Sequence, residues 1–247
     1  MKPLLKAKLC IPTILLAQLF NYSYATDGGH WGYKGEYGPA SWGEHHIMCK
    51  QGKNQSPVDI KDSINTNLNP IQFNYNTLAS TIKNNGHTIQ VDYPAGNSIS
   101  LNGNHYELKQ FHFHSPSENT IDGQHFPLEA HFVHADSKGN LAVVGVMFKA
   151  GDTNKKLAKL WQAMPNQANT KQNLATPFNA MDLLPKSHDY YRFNGSLTTP
   201  PCSEGVLWLV LKQPATISQE QASHLVKTLK YPNNRPVQPL NARRILE

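Results

Sequence analysis

Apolar and polar residues alternate with period two in several short stretches of the chain, separated by Asn- and Gly-containing turns. This spacing predicts strands over 71–75, 88–93, 98–101, 105–114, 127–134, 141–148 and 206–212. Asn84-Asn85-Gly86 and Asn102-Gly103-Asn104 supply strong turn signals. Two stretches carry helical spacing instead. Leu157, Leu160, Trp161 and Met164 fall on one face. Ala222, Leu225, Val226 and Leu229 do the same, behind a capping-box signature formed by Ser218 and Gln221. Asp27 to Ser56 fits neither period and reads as an irregular segment wrapped around the core. The expected fold class is mainly β (α+β). It is a single domain on one large twisted, mostly antiparallel central sheet with short peripheral helices.

The first 25 residues break this pattern. Lys2, Lys6 and Lys8 precede an apolar run from Leu9 to Phe20, and Ser23-Tyr24-Ala25 ends it with a small-x-small site. This is the three-part layout of a secretory signal peptide, with cleavage expected after Ala25. The run is short for a bilayer span, and no other stretch is apolar enough for one. The organisation expected is therefore a signal peptide over 1–25 and one domain over 26–247, periplasmic or secreted.

Composition adjusts this picture in two ways. Charged residues are only 16% of the chain, against 39% hydrophobic, which fits a packed globular domain and not a disordered one. Loss of the leader removes three Lys and no acid, so the net charge falls from +6 to +3. The remaining basic residues are scattered, which argues against a nucleic-acid partner. Cys10 also leaves, and Cys49 and Cys202 then allow one pairing, a disulfide expected in an oxidising compartment.

Candidate chemistry centres on "QFHFH" at 110–114. Alternation puts Gln110, His112 and His114 on one face of the strand, and Phe111 and Phe113 on the other. An H-x-H pair alone is a weak metal signal. The next strand, "LEAHFVHA", strengthens it by setting Glu129, His131 and Val133 on one face. Antiparallel pairing would bring His131 across from the first two imidazoles. Three neutral His with an open fourth position describe a catalytic zinc site, whereas a structural site is closed by four protein ligands. Gln110 and Glu129, each two residues before a ligand, are placed to fix the second ring nitrogen of His112 and His131. His105, His125 and His134 read as surface or packing residues.

Further motifs identify a family. "HWGY" at 30–33, "QSPVDI" at 55–60, "NNGHT" at 84–88, "SEN" at 117–119, "EAHFVH" at 129–134, "NGSLTTPPCSEGV" at 194–206 and "RPVQPLN" at 235–241 accompany "QFHFH". With them the chain resembles the α-class carbonic anhydrases in a secreted bacterial form. The resemblance implies reversible hydration of carbon dioxide to bicarbonate by a zinc-bound hydroxide. It makes His112, His114 and His131 the ligands of Zn2+, with a ten-stranded sheet and a conical cleft. Zinc in this family is the standard example of a metal bringing the pKa of its water to about 7.

The resemblance further implies that Thr198 orients the hydroxide through Glu118, and that Val133, Val143, Leu197 and Trp208 form the apolar wall for substrate. Thr199 would line the polar side. His87 matches the proton-shuttle position, and an imidazole with a pKa of about 6.5 suits that task. Tyr33, Asn85 and Gln90 match positions that shape the water network to the shuttle. Gln90 stands where many relatives have Asn, and Asn119 where a His is common. Cys49 and Cys202 fall where exported members form their disulfide. The expected partner is the small-molecule substrate, and the assembly a monomer or homodimer. Two other readings differ in class: a catalytically silent carbonic-anhydrase-like binding module, and a cupin-type metal protein. The first is at odds with retention of all three ligand His, and the second with "SLTTPP" and "NNGH".

Overall fold

The computed structural model describes residues 30–247, so the leader expected over 1–25 lies outside the described residues. Among the described residues thirteen strands are formed. They are β1 (Asp59–Ile60), β2 (Gln72–Tyr75), β3 (Ala79–Asn84), β4 (Ile89–Asp92), β5 (Asn97–Leu101), β6 (Asn104–His114) and β7 (Thr120–Ile121), then β8 (Leu128–Ala135), β9 (Leu141–Ala150), β10 (Thr170–Phe178), β11 (Tyr190–Ser196), β12 (Glu204–Leu211) and β13 (Ala215–Ile217). The α-helices are α1 (Trp42–His45), α2 (Ile47–Gln51), α3 (Lys155–Gln162) and α4 (Gln219–Leu229).

Eleven strands make one sheet, with the order β10-β3-β4-β6-β8-β9-β12-β11. β2 and β5 extend from β6, and β13 pairs with β9. All pairs in this sheet are antiparallel except those of β9 with β12 and with β13. The fold class is the expected one, with eleven strands in the sheet where the resemblance implies ten. All seven expected strands form, with ends moved by one to two residues. Asn102 and Gly103 close the β5–β6 hairpin with φ of 53° and 77°, the left-handed geometry a two-residue turn needs. Ser218 and Gln221 make the reciprocal capping box at the start of α4.

Two expectations are corrected. The 27–56 segment is not wholly irregular: α1 and α2 form there, and α1 buries Trp42 edge-on to Trp31 and Tyr33. β3, β10 and β11, and the short β1, β7 and β13, lie outside the expected strands. β10 is an exposed edge strand with a polar sequence, and its pairing with β3 gives it its order.

The sheet separates two apolar layers. Phe111, Phe113, Phe132, Val144 and Phe148 point into the larger one, which α3 and α4 cover through Leu157, Leu160, Trp161, Leu225 and Leu229. The opposite face carries a smaller layer around Val143, Met147, Phe193, Trp208 and Val210. The three candidate ligands lie on this second face. Period-two alternation supplies the sorting: β6 and β8 send Phe111, Phe113 and Phe132 to the large core and His112, His114 and His131 to the other side.

Candidate metal centre

Strand register lays the site out in rows. His112 of β6 pairs with His131 of β8, which pairs with Gly145 of β9. One row away, Gln110 pairs with Val133, Val133 with Val143, and Val143 with Trp208 of β12. On the other side His114 pairs with Glu129, and Glu129 with Met147. Adjacent strands are about 4.8 Å apart, so these rows bring three imidazoles together. Their ligand atoms lie within 4.8 Å of one another. It is the one such group of three among the described residues. Gly145 matters to the row, because a Cβ there would stand 3.2 Å from both Glu129 Oε1 and Val210.

Each imidazole has one nitrogen committed. His112 Nδ1 is 2.8 Å from Gln110 Oε1, and His114 Nδ1 is 2.6 Å from the backbone carbonyl of Asn233. His131 Nε2 lies 3.0 Å from Glu129 Oε1, although the contact is not aligned as a hydrogen bond. The acceptors fix the tautomers. They leave His112 Nε2, His114 Nε2 and His131 Nδ1 as the free lone pairs. His114 Nε2 is buried without a hydrogen-bond partner, which a metal would relieve. The donor set, three neutral imidazoles and no fourth ligand in the group, fits a catalytic zinc.

Electrostatics agree with this fit. Burial, and then the charge of His131, pulls His112 down to about 3. Burial also lowers His114 well below its usual value, with further pressure from His131 and His112. Both imidazoles are therefore neutral at any moderate pH. His131 is also desolvated, but the charge and contact of Glu129, with Glu118 behind it, outweigh that and raise its pKa.

The two carboxylates have different surroundings. Glu129 Oε2 accepts from the backbone N–H groups of Glu118 (2.8 Å) and Asn119 (2.9 Å), and Oε1 accepts from Asn119 Nδ2 (2.8 Å). Its burial is compensated by this set of donors. Glu118 is pushed up to about 7, mainly by burial. His131, the Thr198 hydroxyl and the Arg235 N–H pull it downward, and the Glu129 carboxylate raises it further. Its Oε1 accepts from Arg235 N at 2.8 Å, while Oε2 has no aligned protein donor and lies 3.4 Å from His114 Nε2. A divalent cation at the imidazoles would favour the ionised form.

The remaining expected residues surround the centre. Val143 and Trp208 are buried, and Val133 and Leu197 pack half-buried against the same layer. Trp208 stands edge-on to His131, with ring centroids 4.9 Å apart, and its Nε1 donates to Ser196 O. Thr198 is buried and Thr199 half-buried in the loop after β11. Cys202 in that loop is disulfide-bonded to Cys49 in the middle of α2, and its N–H donates to Thr199 O.

His87 lies in the turn before β4, half-buried, with its ring stacked 3.8 Å from that of Trp31. Burial and the neighbouring His30 lower its pKa. Asn85 Oδ1 accepts from the N–H groups of His87 and Thr88, and its amide donates to Gln90 Oε1. Gln90 in turn donates to Asp92. Tyr33 stays protonated, because burial first and then Glu118 and Tyr231 raise its pKa.

The other histidines are placed apart. His105 and His125 are exposed. His134 is buried in the large core between Tyr75 OH and Ala142 O, and burial lowers it to about 3. Asn233 lies outside every motif read from the sequence, and the contacts that Arg235 and Asn119 make were not legible in theirs. Asn233 acts on His114 through a backbone carbonyl, and Arg235 acts on Glu118 through a backbone N–H, so neither side chain betrays the contact. Asn119 buttresses Glu129.

The sequence pattern of the family described as Carb_anhydrase, the eukaryotic-type carbonic anhydrases, matches residues 37–247. A carbonic anhydrase of Neisseria gonorrhoeae is 50% identical over 243 residues, covering 96% of each chain. One of Pectobacterium carotovorum is 47% identical over 245 residues, covering 98% of this chain and 100% of its own. The α-carbonic anhydrase of Thermovibrio ammonificans, solved with the inhibitor sulfanilamide, superposes with a TM-score of 0.87 at 48% identity, over 88% of this chain and 99% of its own. The three-histidine face, the sheet that carries it and these likenesses agree: the chain belongs to the eukaryotic-type, or α, carbonic anhydrase family.

Proposed function

We propose that this carbonic anhydrase hydrates carbon dioxide reversibly to bicarbonate and a proton, with Zn2+ held by His112, His114 and His131. The observation that carries the reading is the convergence of three imidazoles whose second nitrogens each face a protein acceptor. Zinc, when bound, supplies a Lewis acid that lets water deprotonate near neutral pH.

The chain's own residues do the rest. Thr198 has one hydroxyl proton. Committed to the Glu118 carboxylate, it leaves only lone pairs toward the cleft, so the hydroxyl accepts from the attacking oxygen and aims it. Val133, Val143, Leu197 and Trp208 give an apolar molecule a surface free of competing water. Thr199 lines the polar side. His87, whose pKa burial and then His30 lower, takes the released proton on its imidazole and passes it toward solvent. Asn85 and Gln90, engaged with each other, hold the turn that carries it, and Tyr33 helps to shape the water network toward it.

The disulfide and the leader-like first 25 residues support export to the periplasm or beyond. Metal analysis paired with a carbon dioxide hydration assay tests the reading. Wild type should hold one zinc and be active, and His112→Ala should lose both together. Stoichiometric zinc without hydration activity would sink the enzyme assignment.

A further inference from the structure

Asn233 lies in the irregular segment after α4 and is fully buried. Besides the carbonyl that faces His114, its side-chain amide is saturated. Oδ1 accepts from Ser115 N at 2.9 Å, and Nδ2 donates to Phe113 O at 2.8 Å and to His87 O at 3.1 Å. Its own N–H reaches Ser115 O at 3.3 Å. One residue therefore brackets positions 113–115, where β6 ends and the ligand His114 sits. The same amide grips the turn that presents His87. Thr88 ties that turn to the same strand end, since its hydroxyl donates to Phe113 O at 2.5 Å.

We propose that the Asn233 side-chain amide is a positioning residue for the metal centre and for the His87 turn. Two donors on one nitrogen meet two fixed carbonyls while the oxygen meets a fixed N–H. A carboxylate would set acceptors against the carbonyls, and a hydroxyl has a single proton to give. The amide thereby fixes how far His114 projects from the end of β6, and how the His87 turn stands relative to it. Tyr231, whose hydroxyl donates to Gly86 O, and Arg235, whose N–H donates to Glu118, extend the same segment to either side. The proposal rests on the zinc reading of the three-histidine site.

Its test is zinc release to an excess of a chromogenic chelator from the loaded full-length protein. Asn233→Ala is compared with wild type and with Leu108→Ala, a buried large-core change away from the site. Asn233→Ala should release zinc ~10–100-fold faster, the usual effect of removing a group that holds a metal ligand in place. Leu108→Ala should stay near wild type even if its Tm falls as far. Turnover of Asn233→Ala in weak buffer should drop more than kcat/KM, and imidazole buffer should restore the difference. Release no faster than in Leu108→Ala overturns the proposal. A wild type that binds no zinc overturns the zinc reading instead.

If Asn233→Ala does not fold, solvent exchange of the Asn233 side-chain amide protons in wild type decides. Slower exchange in the zinc-loaded than in the metal-free protein supports the coupling, and equal exchange overturns it.

Discussion

Glu129→Gln is the sharpest test of how the metal centre is held. The carboxylate accepts two backbone N–H groups on Oε2. On Oε1 it accepts the Asn119 amide and faces His131 Nε2 at 3.0 Å. Glutamine has nearly the same shape, but one oxygen becomes an NH2. Turned toward the Oε2 position, that NH2 meets two backbone donors. Turned toward Oε1, it meets the Asn119 NH2 and rewards a His131 tautomer with its proton on Nδ1, the nitrogen meant for the metal. Either orientation spoils two contacts. Hydrogen bonds to a charged group contribute about 1.5–3 kcal/mol each, so a loss of about 3 kcal/mol in the metal-free protein is the lower expectation. In a chain of this size that lowers Tm by about 6–12 °C. Zinc release to a chelator should accelerate ~10–100-fold. Differential scanning fluorimetry of the metal-free protein and stopped-flow release from the loaded protein read the two effects separately. Unchanged Tm together with unchanged zinc release would refute the account of Glu129 as the group that sets the His131 tautomer.

Other outcomes follow from the same geometry. Below the His131 pKa, zinc uptake should displace the proton of His131, whose pKa is raised where those of His112 and His114 are lowered. Affinity should therefore fall about tenfold per pH unit once pH drops below the His131 pKa, and a pH-independent affinity between 5 and 7 would contradict this. His87→Ala should retain zinc and lose turnover in weak buffer, with recovery on adding imidazole; absence of rescue removes His87 from proton transfer. Replacing Cys49 and Cys202 together by Ser opens a cross-link spanning 153 residues, worth at most on the order of 5 kcal/mol on the chain-entropy account. Chemical denaturation should show that loss, and a midpoint equal to wild type would mean that the bridge adds no stability.

Much of the fold was legible because its signals are local. Alternation in 105–114 and 127–134 sorts Phe111, Phe113 and Phe132 to one face and the histidines to the other. That sorting survives any tertiary detail, since a one-residue slip would bury imidazoles in the main core. The capping box of α4 and the Asn102-Gly103 turn are equally local. β10 and β11 were missed for the opposite reason. The first is polar and exposed, and "YYRFNGS" carries no clean alternation, so the ladder with a neighbouring strand decides both.

By itself, the sequence determined which residue types could meet: three imidazoles on two strand faces, each of two preceded by an acceptor at the same parity. Covalent geometry enforces that, because side chains two apart on a strand share a face. Tertiary structure alone decided the register that sets His131 beside His112, the glycine at 145 that leaves room for Glu129, and the acceptor for His114. That acceptor is a carbonyl 119 residues away in sequence, supplied by a segment without regular structure. Contacts made through the backbone are open to any residue type, and only the folded chain fixes which residue makes them.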